Sequence, residues 1–234
     1  MKLFVFHTPT LTPMGLPDCG VAIDVLRATT TLAAFLAAGA EAVQAFAGIE
    51  EAKEAAREWP PGQVLLAGER GGDQVPGFDW GNSPFIPPTL VQGKRVLMTT
   101  TNGTQTLARL REAPVLLTAS LVNAERIISF LKSKDFSTVW LVCSGWEGAF
   151  SLEDTFCAGY IAAAFPDCLA NDEALAALAL YHQWKHDPLA LMHRASHGQR
   201  LLRRGLEEDL AFCATFDALS VLPSQKEPGI FRAE

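Results

Sequence analysis

The stretch V21-A-I-D-V-L-R-A-T-T-T-L-A-A-F-L-A-A-G-A40 runs an apolar segment into an aspartate and an arginine, then three threonines, then an alanine-rich segment. Val21 to Val25 reads as a buried strand and Thr30 to Ala38 as a helix, so the stretch is one βα unit. In a parallel α/β sheet, ligands bind outside the carboxyl ends of the strands, where βα turns and helix N-termini converge. Asp24 falls at such an end. Thr29, Thr30 and Thr31 then form the first helical turn, whose free N–H groups and dipole attract an anion. Arg27 adds a planar, permanently charged fork suited to phosphate, sulfonate or carboxylate. It is expected at the surface, where its replacement would spare stability. A capped helix with a surface arginine fits the same residues.

Outward from this unit, strands are expected at Leu3–Phe6, Ala42–Phe46, Val64–Ala67, Arg95–Thr99, Val115–Thr118 and Thr138–Cys143. Helices are expected at Glu50–Glu58, Thr104–Arg111, Asn123–Lys134 and Leu152–Phe165. The alternation predicts an α/β fold, a layered α/β/α arrangement on a largely parallel or mixed sheet. From about Asn171 the pattern turns to helices only (Asp172–His182, Ala190–Arg204, Glu207–Phe216), read as a flank on the same core. With 234 residues and 49% hydrophobic content, one domain over 1–234 is expected, with 1–170 as sheet core and 171–234 as helical flank. Gly68 to Pro88, rich in glycine and proline, reads as a long functional loop that closes over a ligand on its apolar residues Phe78, Trp80 and Phe85.

The βα device recurs. V96-L-M-T-T-T-N-G-T-Q-T-L107 ends a strand in hydroxyls and glycine before a helix, making Asn102, Gly103 and Thr104 candidates. V139-W-L-V-C-S-G-W-E-G-A-F-S-L-E-D154 does so again, with Ser144 and Gly145 closing the strand and Ser151 capping a helix that carries Glu153 and Asp154. Three such turns imply a small ligand with more than one anionic group. Asp24, Glu69, Asp79, Glu153 and Asp154 sit among them and would repel it unless a divalent cation intervened, so Mg²⁺ on Asp24, Glu153 and Asp154 is expected. Glu69 and Asp79 are candidates for a third ligand or a general acid. The attacking group is a water on the metal, Asp24 or Cys143.

Other classes lose ground. No G-x-x-x-x-G-K-[ST] loop, strand-linked G-x-G-x-x-G or G-x-S-x-G elbow occurs. A net charge of −7 argues against nucleic acid and anionic membranes as partners. The absence of a long apolar run or a signal-peptide pattern makes the cytoplasm the expected compartment. Five cysteines without a C-x-x-C pair read as reduced thiols, Cys157 among them in the core. His182, His186, His193 and His197 form two i, i+4 pairs, but Asp187-Pro188 breaks the first helical face, so no zinc site is read. A homodimer is left open.

Taken together, D24-V-L-R-A-T-T-T31, Gly68-Glu69-Arg70, G77-F-D-W-G-N-S-P84, T99-T-T-N-G-T104, A119-S-L-V-N123 and Cys143-Ser144-Gly145 with S151-L-E-D154 resemble the 2-phosphosulfolactate phosphatase family. The resemblance extends to the tail at Gly198, Asp209, Cys213 and Asp217. It implies a Mg²⁺-dependent phosphatase that converts 2-phospho-3-sulfolactate to 3-sulfolactate and phosphate, a step toward coenzyme M. The implied substrate is a small polyanion bearing phosphate, sulfonate and carboxylate. Asn82 and Thr101, within the matching blocks, join the expected substrate-binding residues, and Asp24, Arg27, Glu69 and Cys143 are the expected catalytic ones. A protein that only binds a small anion, or a phosphatase of another phospho-hydroxy acid, fits the same turns.

Overall fold

The computed structural model describes residues 1–101 and 103–234. In chain order the first half contains β1 (Lys2–Phe6), β2 (Cys19–Ile23), α1 (Ala28–Ala37), β3 (Ala42–Ala45), α2 (Ile49–Arg57), β4 (Val64–Arg70), β5 (Asp73–Gln74), α3 (Pro88–Val91), β6 (Arg95–Thr99) and α4 (Gly103–Leu110). The second contains β7 (Val115–Ala119), α5 (Ala124–Lys132), β8 (Thr138–Cys143), α6 (Leu152–Ala163), α7 (Asp172–Trp184), α8 (Pro188–Arg194), α9 (Ser196–Arg203), α10 (Glu207–Cys213), β9 (Pro223–Glu227) and β10 (Ile230–Ala233). The strands make one mixed, mostly parallel sheet in the order β1-β8-β2-β7-β9-β10-β3-β6-β4-β5.

Two parallel blocks, β1-β8-β2-β7 and β3-β6-β4, are joined by an antiparallel hairpin, β9–β10. Strand β2, Cys-Gly-Val-Ala-Ile, is buried along its whole length, as a central parallel strand with both faces covered must be. Val21 and Ile23 join Leu117 and Leu141 in the core on one face, while Ala22 joins Leu116 and Val142 on the other. Each large side chain so buried contributes roughly 1.5–3 kcal/mol. Helix α1 is buried from Ala28 to Leu36, which explains why it lacks a polar face. It packs on β7, β9, β10 and β3, and so spans the junction between the blocks.

The layered α/β class is the one expected, and α7 to α10 do flank the core. The helices-only reading of the tail needs correction: its last residues return to the middle of the sheet as β9–β10. Polar Gln225, Lys226 and Glu227 hide that strand from a pattern search, since burial there is concentrated at Pro223, Ser224, Ile230 and Phe231. The expected helix Ala190–Arg204 is two, broken where Ala195 takes an extended conformation (φ −63°, ψ 139°).

The Gly68–Pro88 segment also differs from the free loop expected. β4 runs on to Arg70 and pairs with β5, Trp80 bridges to Ala67, and Val75 and Phe78 pack with Ala52 in a small core of their own. Asp79 accepts the Leu66 N–H at 2.8 Å, bracing this strand edge instead of meeting a ligand.

Candidate active site

Although five strands separate β2 from β4 in the sheet order, the segments that end β2, β4, β6 and β8 converge on one open cavity of about 140 Å³. The volume suits a small acid. Asp24, Arg27, Glu69, Asn82 and Thr101, all expected site residues, line it. Asn102 lies outside the described residues.

Asp24 accepts the Ala28 N–H through Oδ1 at 3.1 Å, a cap at the start of α1. Burial pushes its pKa up to about 7; the Ala28 N–H and Arg27 pull it down, and the charges of Glu153 and Glu69 push it up further. Gly103 opens α4 hard against this carboxylate, because a Cβ there would stand 3.0 Å from Asp24 Oδ2 and 2.7 Å from the Ala28 Cβ. Glu69 crosses between two turns, accepting Thr101 N–H through Oε1 at 2.8 Å and Gly72 N–H through Oε2 at 2.7 Å. Burial raises its pKa, but these N–H groups outweigh that and hold it below the usual value. Glu69 therefore stays ionised, which removes it as a general acid near neutrality.

Arg27 is not at the surface. Its side chain is 5% exposed and ion-pairs with Asp209 of α10, which in turn accepts the Ser83 hydroxyl at 2.9 Å. The threonines of α1 are also committed: Thr29 donates to the Ala119 and Asp24 carbonyls, Thr30 to Val25 and Thr31 to Asn82. These hydroxyls fasten α1 to its surroundings, and none of Thr29, Thr30 and Thr31 is among the residues that line the cavity. Thr104 bonds the Thr100 carbonyl and faces a neighbouring depression. Ser144 pairs with Thr106, and Gly145 donates its N–H to Asp154.

Cys143 is fully buried, and burial first, then the charge of Asp154 and neighbouring Cys157, drives its pKa well up. It remains a neutral core thiol, so its candidacy as nucleophile is withdrawn. Asp154 has both oxygens occupied, Oδ1 by Val25 N–H (2.8 Å) and Oδ2 by Gly145 N–H (3.1 Å), and so ties the β2 and β8 turns together. Glu153, 2% exposed, lies 3.9 Å from His197 Nδ1, its pKa raised by burial.

Several lining residues escaped the sequence reading. Trp146 stacks on His197 with ring centroids 5.7 Å apart, and Arg200 reaches in from α9. His197 is pushed down to about 4 by burial, then by Arg200 and Arg27, and is neutral at physiological pH. Asn82 Oδ1, Thr100 Oγ1 and Trp146 Nε1 are buried without a partner among the described residues, although all three residues border the cavity. Unmet polar atoms around a cavity call for a polar occupant.

The comparisons agree with this chemistry. A family model for 2-phosphosulpholactate phosphatase matches residues 6–228. The chain belongs to that family. Relatives named "Probable 2-phosphosulfolactate phosphatase" include one from Synechococcus sp. (strain JA-2-3B'a(2-13)), 56% identical, and one from Gloeobacter violaceus, 53% identical, each over 98% of both chains. A third, from Microcystis aeruginosa, is 51% identical over 98% of both.

A metal ion has to be weighed against these residues. Among the described residues, no group of three or more His, Cys, Asp and Glu side chains is arranged to hold one. Mg²⁺ asks for less, since one or two carboxylates with substrate oxygens and water suffice. Asp24 lines the cavity and fits that demand; Glu153 does not line it but lies near enough for its charge to raise the Asp24 pKa, and both are buried oxygen donors with raised pKa values that form no ion pair with Lys or Arg among the described residues. Asp154, its oxygens already bonded, fits a supporting place better than a ligand's. Among the described residues, no helix is long and apolar enough to cross a membrane.

Proposed function

We propose that this chain hydrolyses 2-phospho-3-sulfolactate to 3-sulfolactate and phosphate, using Mg²⁺ held by Asp24 and Glu153. The observation that carries the reading is the pairing of buried carboxylates with two guanidinium groups, Arg27 and Arg200, around one small cavity in a chain of this family. When bound, the cation supplies charge neutralisation for the phosphoryl oxygens and the leaving alkoxide. Arg27, oriented by Asp209, presents its remaining N–H groups to the phosphoryl group and needs no reorganisation to do so. Glu69 keeps the β4 and β6 turns at fixed separation and so sets the width of the cavity. Water is the attacking group in this reading, because Cys143 is sealed in the core and Asp24 is assigned to the cation. The setting implied by the family resemblance is a step toward coenzyme M.

Phosphate release from phosphosulfolactate, measured with Mg²⁺, without it and after chelation, tests the reading and separates an enzyme from an anion-binding protein. Asp24→Asn keeps shape but removes charge, and should lower turnover at least about 100-fold with the fold intact. Release that ignores chelation, or survives in Asp24→Asn with unchanged metal dependence, rejects Asp24 as a ligand.

A further inference from the structure

The cavity has an inside and an outside. Asp24, Arg27, Glu69, Asn82 and Thr100 are buried around its floor, whereas Gly71, Thr101 and Glu147 are exposed and Arg200 half-buried. Among the described lining residues the guanidinium groups are Arg27 and Arg200. Arg27 is already balanced by Asp209, but Arg200 forms no ion pair among the described residues; it donates a hydrogen bond to the Gly71 carbonyl. That bond anchors one edge of the fork while its charge stays uncompensated at the mouth.

The proposed substrate has a matching asymmetry. Its carboxylate hangs on the carbon that bears the phosphate ester, so phosphate and carboxylate both lie near the reacting centre. Its sulfonate is one carbon further out. A group that keeps full charge through the reaction and sits away from the chemistry is one that remote binding energy can grip. Sulfonate also offers coplanar oxygen pairs to a guanidinium fork.

Resting on the phosphosulfolactate reading above, we infer that Arg200 is the specificity-determining residue that receives the sulfonate at the cavity mouth. The cation that selects this substrate is then carried by α9, an element of the C-terminal flank, and not by a βα turn. The break at Ala195 separates that element from α8.

The test compares kcat/KM for 2-phospho-3-sulfolactate and for 2-phospholactate, which has the same phosphate and carboxylate but a methyl group where the sulfonate arm would be. In the unaltered enzyme the sulfonated ester should be preferred. Arg200→Ala should lose about 10- to 100-fold on the sulfonated ester, as expected for a hydrogen-bonded charged pair, and little on phospholactate. Arg200→Lys should fall between, with most of its loss in KM. Phospholactate turnover in each variant reports whether the site is still assembled. Equal losses on both esters, or no loss on either, would overturn the role of Arg200 while leaving the phosphatase reading standing. If the unaltered enzyme ignores the sulfonated ester but cleaves phospholactate, the substrate reading itself falls, and this inference with it.

Discussion

Arg27 illustrates how a single side chain changes meaning once its partner is known. With 5% of its side chain exposed and Asp209 at 7%, the pair is a buried one, and removing one member strands the other charge. Arg27→Ala should therefore cost about 3–5 kcal/mol, which for a chain of this size lowers Tm by roughly 6–20 °C. Arg27→Met combined with Asp209→Leu should recover much of the loss, since no charge is then left unpaired. Calorimetry decides the matter: a melt of Arg27→Ala within a degree of the parent would mean that Asp209 is solvated. Charge, shape and spacing at Arg27 are legible in the sequence. Its partner is not, because Asp209 lies 182 residues away and nothing local points to it.

At the scale of elements, the contact between α6 and α7 governs how firmly Glu153 and Asp154 are held, since both lie in the first turn of α6. The two helices are in tight contact at Gly159, where an added Cβ would stand 2.0 Å from the Ala177 carbonyl oxygen. Helix propensity alone favours alanine there by roughly 1 kcal/mol. Packing opposes it, because the obstacle is backbone and cannot rotate away. Gly159→Ala should destabilise by about 1–3 kcal/mol, read as a lower midpoint in urea. An unchanged or higher midpoint would show that α7 gives way freely. The short break between α8 and α9 belongs to the same scale. Ser196, His197 and Gly198, which are weaker helix formers than the residues on either side, follow directly on the point where the chain bends.

For the molecule as a whole, the burial of several carboxylates makes stability depend on pH. Asp24 is raised from 3.8 to about 7, and Glu153 and Asp154 shift the same way, so the folded state holds protons that the unfolded chain has released. Stability from these groups is present at low pH and is lost as pH rises through about 7. His197, pushed down to about 4, acts oppositely, but its contribution is largely complete by its unfolded value near 6.5, and Glu69 acts only below its own ordinary value of 4.5. Between pH 6.5 and 7.5 the carboxyls prevail. The metal-free protein should lose on the order of 1 kcal/mol over that interval, and added Mg²⁺ should raise Tm more at pH 7.5 than at pH 6. A Tm that climbs across this interval in the presence of a chelator would contradict the raised pKa of Asp24.

The sequence by itself determined what depends on near neighbours. Alternating strand and helix patterns gave the layered α/β class, and each turn that breaks a buried strand with Asp, Thr or Gly marked one edge of the site. Asp24 and Glu69 were identifiable because strand ends in such folds face ligands whatever the strand order, whereas Asn82 came only from the family resemblance. Tertiary structure decided which turns meet and which side chains remain free. The β9–β10 hairpin joins the two parallel blocks, α1 bridges them, and only then do β2 and β4 deliver carboxylates to one cavity. The same packing turned the Thr29–Thr31 hydroxyls to backbone carbonyls, sealed Cys143, and brought Trp146, His197 and Arg200 to the rim. Propensity and periodicity act over one or two turns of chain, whereas burial, ion pairing and access to a ligand are set by residues more than a hundred positions apart. Arg27 and Asp209 could not be matched until the chain had folded.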